Sequence, residues 1–304
     1  MFKQFGTLAR IGILLFVTLV CVMTAVVVGS LINLWYSSAA GIDYQQTAST
    51  PTFVRIYQIV TSSIMFIVPA WLCAMMFHNN VKEGFCINRS LKIKPLFFSL
   101  AAMAAALPLA EFLTAVNSHL SLPESMSGIE EWMRIQENRA KAITENILVT
   151  DNFGTYLINI IVMALVPAIG EELYFRATLQ NTIARSINPI WAAVITAVLF
   201  STFHLQFYGF LPRLLLGFLL GYMLVCTQNI IVPVAAHFFN NFVAITANYF
   251  TGNEIQIDKN QSVVTFIPIA VISTAAVATL LYLLWKNRCP EKKEIKKQDF
   301  ITEN

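Results

Sequence analysis

Apolar residues in this chain gather in long unbroken stretches instead of alternating with polar ones. Charge-free runs cover residues 11–42, 56–81, 95–110, 152–170, 186–212, 214–253 and 260–285. Each is about as long as a helix needs to cross ~30 Å of hydrocarbon, or longer. The run 214–253 is about two spans long, and Thr227-Gln228-Asn229 marks its natural break. The short-period alternation of barrel strands is missing, so helices are the spanning element. The pattern predicts an all-α polytopic membrane protein of about eight transmembrane helices. Three spans and an outer segment occupy 1–150, five spans occupy 151–286, and 287–304 is a basic tail, all within one membrane domain.

The segment 118–151 breaks this pattern. Ser127-Gly-Ile-Glu130 reads as a capping box. Ile129, Trp132, Met133, Ala140, Ile143 and Ile147 then recur at helical spacing, which predicts an amphipathic helix on one face of the membrane. Lys and Arg concentrate in alternate loops: Lys3 and Arg10; Lys82, Arg89, Lys92 and Lys94; Arg185; and the tail with Lys286, Arg288, Lys292, Lys293, Lys296 and Lys297. The intervening loops carry little beyond Lys259, apart from the balanced charges of 118–151. By the positive-inside rule both termini face the cytoplasm and 118–151 lies outside. The first run is too long for a cleaved signal peptide and lacks a clear cleavage site.

Composition agrees: 57% of residues are hydrophobic and 12% charged. The net charge of +3 comes mainly from the tail and cytoplasmic loops, and needs no nucleic-acid partner. Cys21, Cys73, Cys86, Cys226 and Cys289 are scattered and form no C-x-x-C pair, so neither a disulfide framework nor a thiolate metal site follows.

Candidate chemistry lies in the polar residues inside the spans. A charge near mid-bilayer costs roughly 2.5–3.5 kcal/mol on insertion scales, so Glu171, Glu172 and Arg176 require a reason. Glu172 and Arg176 are four apart in the orientation that favours an ion pair. Glu171 points about 100° away from Glu172. His204 and His237 interrupt apolar helices, whereas His78 and His119 fall at interfaces. His237 and Asn241 share a helix face, as do Phe200 and His204. The fourth and fifth spans form a hairpin turning near Ser186-Ile-Asn-Pro189, which puts Glu171 and His204 level, roughly 20–25 Å from the turn. His237 and Asn241 lie roughly 12–18 Å from the same side. Their convergence in one wet pocket in the inner half of the bilayer is expected. Glu111 is expected to make an interhelical hydrogen bond, Arg213 to sit at the outer interface, and Asn240 to face away from Asn241. Pro167 and Gly170 either loosen the helix before Glu171 or are ordinary span residues.

Glu-Glu-x-x-x-Arg, Phe-x-x-x-His and His-x-x-x-Asn, in this order on the fourth, fifth and seventh spans, resemble the CPBP family. These are the CAAX-protease and bacteriocin-processing membrane proteins, or Abi-like proteins, to which lysostaphin-resistance proteins are related. Glu171, Glu172, Arg176, Phe200, His204, His237 and Asn241 match, and the resemblance runs from about 152 to 250. It implies an intramembrane endopeptidase of a prokaryotic plasma membrane. Glu171 and His204 would activate a water, His237 and Asn241 would stabilise the oxyanion, and Glu172, Arg176 and Phe200 would support them. The implied partners are membrane lipid and a peptide or lipidated protein substrate.

Such chemistry needs a base and oxyanion donors, which these residue types supply without a cofactor. Zinc is the alternative, with Glu171, His204 and His237 as ligands, although no His-Glu-x-x-His pair is present. A different class of function is a non-proteolytic scaffold, immunity factor or regulator of the same fold. A transporter is a third class, and the lack of a detectable inverted repeat counts against it.

Overall fold

The computed structural model describes residues 2–87, 89–120, 122–150, 152–252 and 263–288. Asp151, Lys259, Cys289, Lys292, Lys293, Lys296 and Lys297 lie outside the described residues. The described residues hold helices and no strand. In chain order the main helices are α1 (Thr7–Ala40), α2 (Pro51–Phe77), α3 (Ile93–Ser118), α4 (Ser127–Leu148), α5 (Phe153–Ile183), α6 (Pro189–Phe203), α7 (Phe210–Thr227), α8 (Ile231–Thr251) and α9 (Val263–Lys286).

Six of these are long and apolar enough to cross a membrane: α1, α2, α3, α5, α7 and α9. The chain is therefore a polytopic integral membrane protein, with six clear spans among the described residues where eight were expected. The two that fall short have identifiable reasons. Helix α6 has 15 residues, a rise of about 22 Å. Helix α8 has 21 residues, but His237, Asn240, Asn241 and Asn248 dilute its apolar character. The elements that fail as independent spans are those that deliver the histidines.

The breaks fall where local chemistry places them. The side chain of Asn188 accepts from the N–H of Ile190 at 2.8 Å, and Pro189 opens α6. Helix α7 ends at Thr227, Gln228 takes a left-handed φ of 52°, and Asn229 accepts from the N–H of Ile231 at 2.9 Å. Helix α4 begins at Ser127 as read, but without the capping box: no side-chain cap bond forms there. Glu130 instead binds Arg134, one turn on, at 2.6 Å. Ile147 is the buried residue of α4, while Ile129, Trp132 and Ile143 stay exposed.

Packing divides into two large clusters. One joins α1, α2, α5 and α6 through Leu14, Phe66, Phe77, Phe175 and Phe200. The other joins α3, α7, α8 and α9 through Met103, Leu219, Met223, Val232 and Leu284. Helix α7 bridges them with Gly217-x-x-x-Gly221, a small-residue face that lets backbones approach. A Cβ on Gly221 would stand 2.7 Å from Oε1 of Gln180 and 3.0 Å from Cβ of Ala193. The bare Gly217 and Gly221 carbonyls accept from Arg176 at 3.1 Å and Gln180 at 3.0 Å.

Helix α5 is not a regular α-helix. It holds π-helical stretches at Ile161–Leu165 and Glu172–Gln180, and α2 holds one at Ser63–Ile67. Such widened turns recur at functional sites. Gly170 packs against α2, where a Cβ would lie 3.3 Å from Cβ of Phe66. Close packing is thus the reason for glycine at this position.

Candidate active site

Glu171 and Glu172 straddle the junction between α-helix and π-helix in α5. Glu172 and Arg176 are fully buried, with N–O contact at 2.9 Å. A desolvated ion pair is held only by good geometry and further hydrogen bonds. Here the guanidinium also donates to the Gly217 carbonyl, and its face lies 4.4 Å from the Phe200 ring centroid. Phe200 therefore does more than fill space: it walls the cation and meets the His204 ring edge-on at 4.7 Å.

The same Glu172 oxygen accepts from Nδ1 of His237 at 2.9 Å. Glu172 is consequently the link between Arg176 and His237, not merely an ion-pair partner. With Nδ1–H donated to Glu172, Nε2 of His237 is turned to the other side, 3.9 Å from Oε2 of Glu171. His204 is fixed in the same tautomer. Its Nδ1 lies 2.8 Å from the Phe200 carbonyl, which can only accept, so Nδ1 carries the hydrogen and Nε2 a lone pair. Asn241 donates to the Met163 carbonyl at 3.2 Å and accepts from Asn240 at 3.1 Å. One N–H of Asn241 remains.

Glu171, His204, His237 and Asn241 line one cavity of about 540 Å³. Glu172 and Arg176 stand behind its wall. The cavity also touches Gln58 of α2, Thr144 and Ile147 of α4, Gln206 and Gly209 between α6 and α7, and Arg213 in the first turn of α7. It thus lies toward the α4 end of the bundle. In the topology read from the loops that is the outer half, not the inner half expected. Helix α6 carries His204 to that end: its 15 residues rise about 22 Å from the Asn188 turn, and His204 caps its C-terminus.

Other expectations need correction. Asn240 lines the cavity beside Asn241 and does not face away. Arg213, in the first turn of α7, lines it too. Glu111 is exposed instead of buried between helices. Among the described residues no three His, Cys, Asp or Glu side chains come together as a metal-binding group. Glu171, His204 and His237 line the same cavity, and each histidine has Nδ1 engaged, which leaves Nε2 as its free nitrogen.

A family model described as type II CAAX prenyl endopeptidase Rce1-like matches residues 153–243. The candidate membrane peptidase YdiL of Bacillus subtilis (strain 168) is 32% identical over 87 residues, 28% of this chain. The match spans about a third of that relative's length, 36%. No solved structure matches.

Proposed function

We propose an activity for this chain from one premise: through residues 153–243 it belongs to the CPBP/Rce1-like family of intramembrane proteases. The activity is hydrolysis of a peptide bond near the end of a membrane-associated peptide or lipidated protein, without a covalent intermediate. The observation that carries it is the division of labour between adjacent acids. Glu171 faces a cavity with two tautomer-fixed histidines and an asparagine, while Glu172 is locked behind it.

In this reading Glu171 takes the proton of a water whose second O–H is held by the lone pair on Nε2 of His204. The hydroxide attacks the carbonyl carbon. The oxygen that gains charge receives the free N–H of Asn241 and, from the imidazolium form, Nε2–H of His237. That imidazolium would be flanked by Glu172 and Glu171. Glu171 then returns its proton to the leaving amine. Arg176 and Glu172 position His237 from behind the cavity wall, and Phe200, itself part of that wall, positions His204.

The proposed orientation, from the positive-inside rule, has both termini in the cytoplasm and α4 and the cavity toward the outer face. Labelling of an Asn138→Cys variant by an impermeant reagent from outside intact cells is expected, and labelling only after lysis would reverse the orientation. The activity is tested by comparing membrane peptide fragments between cells carrying wild type and Glu171→Gln. Terminal fragments that need Glu171 support hydrolysis. An unchanged fragment set with an intact cellular phenotype would favour the non-proteolytic scaffold.

A further inference from the structure

Arg213 is a cation inside the cavity with no counter-charge against it. Its guanidinium makes two hydrogen bonds, both to Gln206: to the backbone carbonyl at 3.1 Å and to Oε1 at 2.9 Å. Neither acceptor is charged. The carboxylates whose charge it feels, Glu137 and Glu171, act at a distance, and neither forms an ion pair with it. The group is held in place from behind. The guanidinium lies close over Gly209, where a Cβ would stand 2.9 Å from Nη2.

A charge taken from water without a partner is costly, and a side chain fixed in such a state is complete only when an anion arrives. Guanidinium presents a planar fork that matches a carboxylate, and two of its five N–H donors are used here. The same cavity wall carries apolar side chains, among them Met103, Ile147, Met163, Leu216 and Leu220. We infer that Arg213 forms a carboxylate-binding subsite in the active-site cavity, which takes the free C-terminus of an apolar peptide. This deepens the proposed peptidase reading and rests on it for the identity of the ligand as substrate. It makes the enzyme one that measures its cut from the chain end. Arg213 is a specificity residue and Gln206 its positioning partner.

Binding tests this without requiring turnover. The probes are N-decanoyl-leucine, its C-terminal amide, and N-decanoyl-aspartic acid α-amide, which carries its carboxylate on the side chain. Each is titrated against the full chain in detergent for wild type, Arg213→Gln and Arg213→Lys. Wild type should bind the free acid at least ~10-fold more tightly than the amide, and more tightly than the aspartyl amide. Arg213→Gln should bind acid and amide alike, with amide affinity unchanged. Arg213→Lys should keep part of the preference. Equal affinity of wild type for acid and amide would overturn the subsite, as would an unchanged preference in Arg213→Gln. Tightest binding of the aspartyl amide would assign the site to an acidic side chain and overturn the C-terminal reading. Because hydrolysis is not measured, an inactive wild-type protein would refute the peptidase and leave this result standing.

Discussion

Glu171 and Glu172 are neighbours in sequence with opposite surroundings. Glu171 borders a cavity of about 540 Å³ and keeps some exposure, 13% of its side chain. Glu172 has none, and its Oε1 is shared between Arg176 and His237. Identical chemistry is thus put to two uses. A buried carboxylate with one oxygen held between a guanidinium and an imidazole on packed helices is committed to structure. A carboxylate facing a roomy cavity is free to exchange a proton. What separates them is one step along a helix, made where an α-turn gives way to a π-turn.

This contrast is sharpened most by Glu171→Gln. It keeps the shape and removes a charge, so the melting temperature in detergent should hold or rise. Loss of a positioned general base should lower the cleavage rate in proteoliposomes by ~10²–10⁴. Arg176→Ala attacks the other acid. Leaving Glu172 without its cation in a buried site should cost about 3–5 kcal/mol, read as lost expression and a lower denaturation midpoint, with activity falling because the acid that holds His237 is no longer fixed by Arg176. An Arg176→Ala protein as stable as wild type would mean that the buried pair is not structural.

Asn241→Ala should reduce the rate by roughly 10²–10³ as an oxyanion donor. It should change KM little, and a variant affected only in KM would move Asn241 to substrate binding. The smallest effect concerns Glu137 on α4, a third acid outside the spans. Partial burial raises its pKa above the ordinary glutamate value, against the opposing influence of the Tyr208 backbone and Arg213. A raised folded-state pKa means that the unfolded chain ionises first. Stability is then highest below the ordinary glutamate value and declines as pH rises through the raised one. Melting curves between these values should show that decline in wild type and a flatter profile in Glu137→Gln.

Much of the site was legible because polar residues in apolar runs are scarce. Glu171, His204, His237 and Asn241 stood out by cost, and helical spacing put the last two on one face. Turns at Asn188-Pro189 and Thr227–Asn229 were readable from local chemistry. The span count was not, because it assumed that each polar-bearing run crosses alone. Helices α6 and α8 are instead sheltered by neighbours, as α7 shows with its Gly217-x-x-x-Gly221 face, a pattern visible in the sequence. The π-turns left no sequence signal, and with them went the register that places Glu172 against His237. Asn240 was misplaced, and the cavity that Arg213 lines was missed, because seven helices combine to form it. The capping box at Ser127 failed because Arg134, four residues from Glu130, offers a stronger partner than a backbone N–H.

The division between the two acids is tested most directly by a paired measurement on Glu171→Gln and Glu172→Gln: cleavage rate in proteoliposomes and melting temperature on the same preparations. The account predicts a well-folded, inactive Glu171→Gln protein. It predicts that Glu172→Gln melts lower, with Arg176 left uncompensated, and loses activity along with stability. A Glu171→Gln protein that is folded and fully active would contradict it.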